Sequence, residues 1–340
     1  MANLNKIKTA VIGASGFTGE KLVELLLKHP RVEISYVSAL LEKESSFADI
    51  FPRFKGRFEL VCKNLDIDEA SSKAEVVFLA LPHRISLGIA PLLLKKKKIV
   101  IDLSADYRLK DTKVYEKFYQ VKHTDSANLK KAVYGLPEFF RSKIRKADLI
   151  ANPGCYPTAS ILSTAPLLKE QLIKDVIIDA KSGITGAGRK ASLQYHFAHL
   201  DGNLYTYKPF EHQHLPEINQ VLSHIANKKT AVRFTPHVIP AERGILITVY
   251  AQLTKALKSQ AVTDIYAKYY KKEPFMRFFP KALPQLKDVI ETNFCDIGFS
   301  LQGKHIVIVG VIDNLIKGAS GQAVQNMNIV LGWDERLGLS

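Results

Sequence analysis

Cysteine is scarce in this sequence. Its three cysteines, Cys62, Cys155 and Cys295, are odd in number, far apart and without a CxxC pair. That excludes a disulfide framework and gives no support for a zinc site, so no metal is expected. Long apolar runs are missing too. The longest, at 76–81 and 306–309, fall far short of the ~18 residues a membrane-spanning helix requires, and no membrane partner is expected. No apolar signal region precedes the glycine-rich loop at residue 13, which makes a cytoplasmic location the expectation. Acidic residues are in deficit, 33 against 48 Lys and Arg, for a net charge of +15. Such a balance suits nucleic acid or an anionic metabolite. The only dense basic run, 95–98, lies between a helix end and a strand, where lysines solvate a connection. No nucleic-acid motif accompanies it, and no nucleic-acid partner is expected.

What is present is a globular composition: 46% hydrophobic and 24% charged over 340 residues. At ~100–200 residues per domain that means two domains. Apolar strands at 8–12, 32–37, 76–81, 99–103 and 149–151 alternate with helical patterns at 16–28 and 85–94, which predicts a parallel, doubly wound sheet. After Asn152 the strands lengthen and partly alternate, at 176–180, 232–238, 245–253 and 305–312. These predict a mixed or antiparallel sheet. Helices are expected at 157–168, 216–226 and 261–270, with a last one at 319–331 after a glycine-marked turn at Gly318.

Between the first strand and helix lies Gly13-Ala14-Ser15-Gly16-Phe17-Thr18-Gly19. Without side chains, backbone N–H groups approach a dinucleotide pyrophosphate at the helix N-terminus. The plainer reading is a tight turn. The second strand ends at Ser38 with no Asp or Glu to bind the ribose hydroxyls of NAD, which favours NADP, with Ser38 as a donor to its phosphate and Lys43 adding charge. Cys155 sits in Asn152-Pro153-Gly154-Cys155-Tyr156-Pro157-Thr158, where a strand ends, a turn follows and Pro157 suits a first helical turn. A thiol at a helix N-terminus has a lowered pKa, as nucleophilic catalysis requires. Cys62 and Cys295 fall within predicted strands and read as small buried hydrophobes. A thiolate needs an acid/base partner, and His212-Gln213-His214 precedes the helix predicted from Pro216. Arg108, at the C-terminal end of the 99–103 strand, either grips a phosphate bidentately or pairs with Asp106 or Asp111. The Ser182–Arg189 loop, SGITGAGR, suits close approach of a ligand or of another stretch of chain.

Taken together these segments resemble the N-acetyl-γ-glutamyl-phosphate reductases of arginine biosynthesis. The match spans GASGFTG (13–19), LPH (81–83), DLSADYR (102–108), YGLPE (134–138), NPGCYPT (152–158), SGITGAGR (182–189), HQHLPE (212–217), FTPHVIPAERGIL (234–246) and DNLIKGASGQAVQNMN (313–328). Gln213 stands where the family usually has arginine and Arg84 where glycine is usual, and the segment after Ser38 lacks the usual arginine and glycine.

The resemblance implies an α/β fold with a Rossmann-type NADP-binding domain, 1–152 and 314–340. Inserted in it is a catalytic and oligomerisation domain, 153–313, with a mixed, largely antiparallel sheet. It implies Cys155 as nucleophile and His214 as acid/base group, with His212 as the alternative. Arg108, His212, Glu217 and Asn152 are implied at the substrate. Gly13, Ser15, Gly16, Phe17, Thr18, Gly19, Ser38, Pro82, Ser182, Gly183 and Asn314 are implied at the cofactor, NADPH. The expected partners are an acyl-phosphate substrate and further copies of the chain in a homodimer or homotetramer. Two other readings stay open: a sister reductase acting on aspartyl phosphate or carrier-bound aminoadipyl phosphate, and a non-catalytic NADP-binding regulator.

Overall fold

The computed structural model describes residues 6–339. Residues 1–5, a polar lead into the first strand, and residue 340 lie outside the described residues. Two compact units emerge, one from the chain up to Pro153 together with Ala319 onward, the other from Gly154–Gly318.

In the first unit, β1 (Ile7–Ile12), β2 (Val32–Ser38), β3 (Ser45–Ser46), β4 (Val61–Lys63), β5 (Val76–Leu79), β6 (Ile99–Asp102), β7 (Val133–Tyr134) and β8 (Leu149–Ala151) form one sheet. Its order is β3-β4-β2-β1-β5-β6-β8-β7. Every neighbouring pair is parallel except β3–β4. All four residues of β5 are fully buried, as a parallel strand covered on both faces requires. It stops at Leu79, short of the expected residue 81, and the Ala80 carbonyl beyond it lies close against Gly13. The Phe17–Lys28 helix buries Leu22, Val23, Leu25 and Leu26 on one face. The Gly321–Val330 helix also belongs here. Its Asn326 Nδ2 donates to the Gly135 carbonyl (2.9 Å) and to Asn152 Oδ1 (3.0 Å).

At the end of β6 the sequence DLSAD folds into a buried polar knot. Asp102 accepts from Ser86 Oγ (2.8 Å), Ser104 N (3.0 Å) and Ser104 Oγ (2.8 Å). Asp106 Oδ1 accepts from Arg84 N (2.7 Å) and Tyr115 Oη (2.8 Å). Burial, then the nearby Asp106 carboxylate, push the Asp102 carboxyl up to about 6, despite the bonds from Ser86 and Ser104. A carboxyl raised above its unfolded value of ~3.9 favours folding while protonated, and that contribution is lost as pH rises through about 6. Asp102→Asn, which keeps the shape and removes the charge, should therefore gain stability over the parent as pH goes from 4 to 7, by on the order of 3 kcal/mol at most. Melting temperatures of both proteins across that range check this, and a pH-independent difference rules it out.

The second unit holds β9 (Ile173–Ser182), β10 (Tyr205–Thr206), β11 (Arg233–Val238), β12 (Ile245–Leu253), β13 (Met276–Phe279), β14 (Cys295–Gln302) and β15 (His305–Ile312). The order is β10-β11-β9-β12-β15-β14-β13. Only β11–β9 and β13–β14 are parallel, so the sheet is mixed and largely antiparallel. Against it lies the Cys155–Lys169 helix, whose residues from Tyr156 to Leu168 are all buried. A helix buried on every side is a core helix, and its Thr158 and Thr164 hydroxyls are satisfied by the Gly154 and Ser160 carbonyls. Gly310 of β15 lets it come close, since a Cβ there would overlap Ser163 Oγ.

Candidate active site

The Cys155–Lys169 helix starts at Cys155 itself, two residues before the expected Pro157. Gly154 supplies the extended N-cap (φ −68°, ψ 155°), and its carbonyl accepts from Thr158 N (2.9 Å) and Thr158 Oγ1 (3.0 Å). Its N–H donates to Glu217 Oε1 at 2.9 Å. Glu217 is buried in the first turn of the His214–Ala226 helix, where a carboxylate is favoured by the helix dipole. This one side chain ties the start of the cysteine helix to the start of the histidine helix.

His214 is the first residue of its helix. Its backbone N–H donates to His212 Nδ1 at 3.0 Å, and His212 Nε2 faces Tyr207 Oη at 3.3 Å. A backbone N–H only donates, so Nδ1 of His212 is an acceptor without a proton. Both ring nitrogens of His212 are thus engaged in holding its neighbours. The two imidazoles lie 4.8 Å apart between centroids, and the Tyr156 ring meets each edge-on, at 5.5 and 5.9 Å. Burial, then Tyr207 and Cys155 as neighbours, raise the Tyr156 hydroxyl far above the ordinary tyrosine range, and burial raises Tyr207 as well. Both phenols stay protonated at neutral pH and serve as neutral walls and donors. Cys155, Ser182, Gly183, Tyr207, His212 and His214 line one pocket. Tyr156, Tyr195 and Tyr207 line it too, and none of them is among the residues the sequence points to. Tyr156 was detectable from its place after Cys155, whereas Tyr195 and Tyr207 carry no motif.

The 182–189 loop meets chain rather than standing open at Gly183. A Cβ there would come within 2.8 Å of the Arg243 backbone. Asn314 bolts the same region together: Oδ1 accepts from Gly244 N (2.7 Å) and Nδ2 donates to Thr185 Oγ1 (3.0 Å). Cys62 and Cys295 are fully buried in β4 and β14, and burial pushes the Cys62 thiol up to about 11.

In the first unit, the loop between β1 and the Phe17–Lys28 helix has the form a dinucleotide cradle needs. Gly13 sits at φ +87°, where a Cβ would overlap the Ala80 carbonyl. At Gly19 a Cβ would overlap the Gly13 carbonyl. Gly16, the helix N-cap, is different: a Cβ would meet only Gly13 O, at 3.7 Å. The first two glycines named are demanded by the chain, while the open side of Gly16 fits close approach of a pyrophosphate to the helix N-terminus. Ser15, Phe17 and Thr18 are partly exposed around it. Ser38 is buried at 1% exposure, and its carbonyl accepts from both Gly13 N and Ala14 N at 2.8 Å. The structure thus gives Ser38 a backbone part in shaping the loop.

Arg108 is buried at 4% exposure. Its Nε donates to Asn152 O and its Nη2 to Leu103 O, both at 2.7 Å. Asn152 is held on every side, with Nδ2 on Ala319 O (3.0 Å) and its own N–H on Asp102 O (2.8 Å). Pro82 is exposed, and His83 Nδ1 accepts from Ala105 N at 3.0 Å. A backbone N–H only donates, so Nδ1 of the exposed His83 ring carries no proton. Arg84, where the family usually has glycine, has φ +79°, a conformation glycine adopts without strain.

Two family models match the chain: "Semialdehyde dehydrogenase, NAD binding domain" over residues 8–147 and "Semialdehyde dehydrogenase, dimerisation domain" over 155–314. Among curated relatives, the N-acetyl-gamma-glutamyl-phosphate reductases of Pelotomaculum thermopropionicum and Campylobacter jejuni subsp. doylei are 45% and 46% identical, each over 98% of both chains. That of Desulforudis audaxviator is 44% identical, again over 98% of both. Among solved structures, aspartate semialdehyde dehydrogenase II of Vibrio cholerae, complexed with ASA, has a TM-score of 0.74 at 17% identity, covering 96% of this chain and 99% of the other. The Candida albicans enzyme with NADP gives 0.73 at 15%, with the same coverage. These two likenesses establish the fold. Among the described residues, no helix is long and apolar enough to cross a membrane.

Proposed function

The chain belongs to the N-acetyl-γ-glutamyl-phosphate reductase family, and from that premise we propose that it reduces N-acetyl-γ-glutamyl phosphate to N-acetylglutamate 5-semialdehyde and inorganic phosphate, in arginine biosynthesis. The observation that carries the reading is that one and the same pocket is lined by Cys155 at one helix start and His214 at another. In this reading Cys155 Sγ, favoured as thiolate by the helix N-terminus, attacks the acyl carbonyl. The C–O bond to phosphate breaks, phosphate leaves, and a thioester remains on Cys155. N–H groups of the helix's first turn steady the oxygen anion that develops on the way. NADPH, when bound, supplies the hydride that reduces the thioester. His214 donates the proton to the carbonyl oxygen and takes it back as the C–S bond breaks, which frees the aldehyde and restores the thiolate.

The remaining assignments follow the same reading. The Gly13–Gly19 loop with Ser15, Gly16, Phe17 and Thr18 holds the cofactor phosphates, supported by the open side of Gly16. Pro82 adds a direct cofactor contact, and Ser38, Ser182, Gly183 and Asn314 serve through the loops they shape. Arg108, His212, Glu217 and Asn152 serve the substrate. For Glu217 and His212 the supported part is to place the two reacting side chains, and Arg108 brings a guanidinium already oriented by two carbonyls. The domain described as dimerising supports a homodimer or homotetramer, and a biosynthetic role on small anions suits the cytoplasm.

Turnover in reverse, with N-acetylglutamate semialdehyde, phosphate and dinucleotide, tests the reading. Aspartate semialdehyde and the aminoadipate analogue serve as competitors, and use of either in preference to the first would replace the substrate. The same assay decides the cofactor. No acidic residue stands at the end of β2 or at the three positions after it, Ala39, Leu40 and Leu41. NADP should therefore exceed NAD in kcat/KM by at least ~10-fold, the worth of about one charge-assisted hydrogen bond to the extra phosphate. Equal use of the two cofactors would refute the preference.

A further inference from the structure

Gly318 lies in the π-type turn Ile316–Ser320, a rare conformation often found at functional sites. Its backbone is outside the left-handed region, so conformation does not demand glycine here. Space does. A Cβ at 318 would sit 2.8 Å from Cys155 Cβ, 3.2 Å from Cys155 Cα and 3.3 Å from Asp313 O. Carbon atoms in contact prefer ~3.5–4.0 Å, and the atoms in the way are the root of the cysteine, not the tip of a flexible chain.

Neither side of this contact yields easily. On one side, Gly154 is held by Glu217 and Thr158 as described. On the other, Asp313 is fully buried, its Oδ1 accepting from Leu315 N (2.8 Å) and Ile316 N (3.0 Å), its Oδ2 from Glu291 N (3.0 Å). Gly318 N closes the turn on Asp313 O at 2.9 Å. The adjoining Lys317 is fully buried, with Nζ 5.8 Å from the centre of the Phe275 ring. The turn is a fixed wall behind the cysteine.

We propose that Gly318 is a positioning residue for the nucleophile: the missing side chain lets the Asp313-anchored turn back directly onto Cys155 and set where its thiol stands. This rests on the reading of Cys155 as the nucleophile. A methyl group at 318 displaces Cys155 by a sizeable part of an ångström, and misplacing a reacting group by about 1 Å costs on the order of 10² in rate. Gly318→Ala should lower kcat of the reverse reaction by about 10- to 100-fold, while KM for aldehyde and for NADP moves less than about threefold. The rate of iodoacetamide labelling at Cys155 should change with it. A folded Gly318→Ala protein with parental kcat and labelling rate overturns the proposal.

If that variant folds poorly, stability becomes the readout. Cys155→Gly removes the Cβ that the new methyl strikes, so the fall in melting temperature caused by Gly318→Ala should be much smaller in the Cys155→Gly background. An equal fall in both backgrounds overturns the proposal, since the clash then lies elsewhere. The two readings fail separately. An active Cys155→Ser enzyme removes the nucleophile but leaves the stability coupling intact, whereas an inactive Cys155→Ser with a fully active Gly318→Ala removes only the positioning role.

Discussion

Cys155→Ser should leave a folded protein that still binds the dinucleotide but has lost turnover by at least ~10³-fold. The fold tolerates the change because serine is close to cysteine in size and shape, and the surrounding bonds, Gly154 to Glu217 and to Thr158, do not involve the sulfur. The chemistry does not tolerate it. A hydroxyl ionises many units above a thiol, whose free value is ~8.5, and each unit is worth about tenfold. The helix N-terminus at Cys155 favours an anion, an advantage a neutral hydroxyl cannot use. The contrast is internal to the chain: Cys62→Ser and Cys295→Ser should stay active, because both thiols are fully buried in strands of the sheets. Iodoacetamide at pH 7 should label Cys155 alone in the native protein. A fully active Cys155→Ser enzyme would end the covalent mechanism.

His214→Asn should reduce kcat by about 10²–10⁴-fold, the usual scale for loss of a general acid–base group, with folding intact. His212→Asn should do less, and the reason is geometric. The His212 ring accepts the His214 N–H through Nδ1 and meets Tyr207 through Nε2. An asparagine oxygen can take over the first of these bonds, so His214 keeps its place although the Tyr207 contact and the ring packing against Tyr156 and Phe234 are lost. The labelling of Cys155 should also move, in His214→Asn, toward the pH dependence of an ordinary thiol near ~8.5. Steady-state kinetics and the labelling profile of the two variants decide the matter. An active His214→Asn with a dead His212→Asn exchanges the two roles and leaves the thioester chemistry standing.

Much of the fold is legible in the sequence because strands and helices bury different periodicities. The expected strands at 149–151, 245–253 and 305–312 coincide with β8, β12 and β15. The helix expected at 216–226 starts two residues earlier, at His214. Among the pieces that escape are the helices Thr112–Tyr119 and Pro137–Ile144, and others are those whose existence depends on a neighbour. β3, β7 and β10 are two residues each, too short to show a period, and they exist because β4, β8 and β11 offer them edges. The last helix was expected from residue 319, but the π-type turn delays it to Gly321. A turn stabilised by the remote carboxylate of Asp313 has no local signature.

For the site, the sequence by itself determines that a thiol opens a helix, since a strand end, Pro153, Gly154 and Pro157 leave little else for the backbone to do. It likewise determines the glycine loop, because Gly13 needs a positive φ that side chains resist. What only the tertiary structure decides is which group stands against which. Glu217 becomes the acceptor for Gly154, and Tyr207 the partner of His212. Gly318 becomes the surface on which Cys155 rests. Each of these contacts joins residues from different elements at distances set by packing. Hydrogen bonds and steric limits act over a few ångströms of space, and a linear sequence does not record which of its distant segments will come that close.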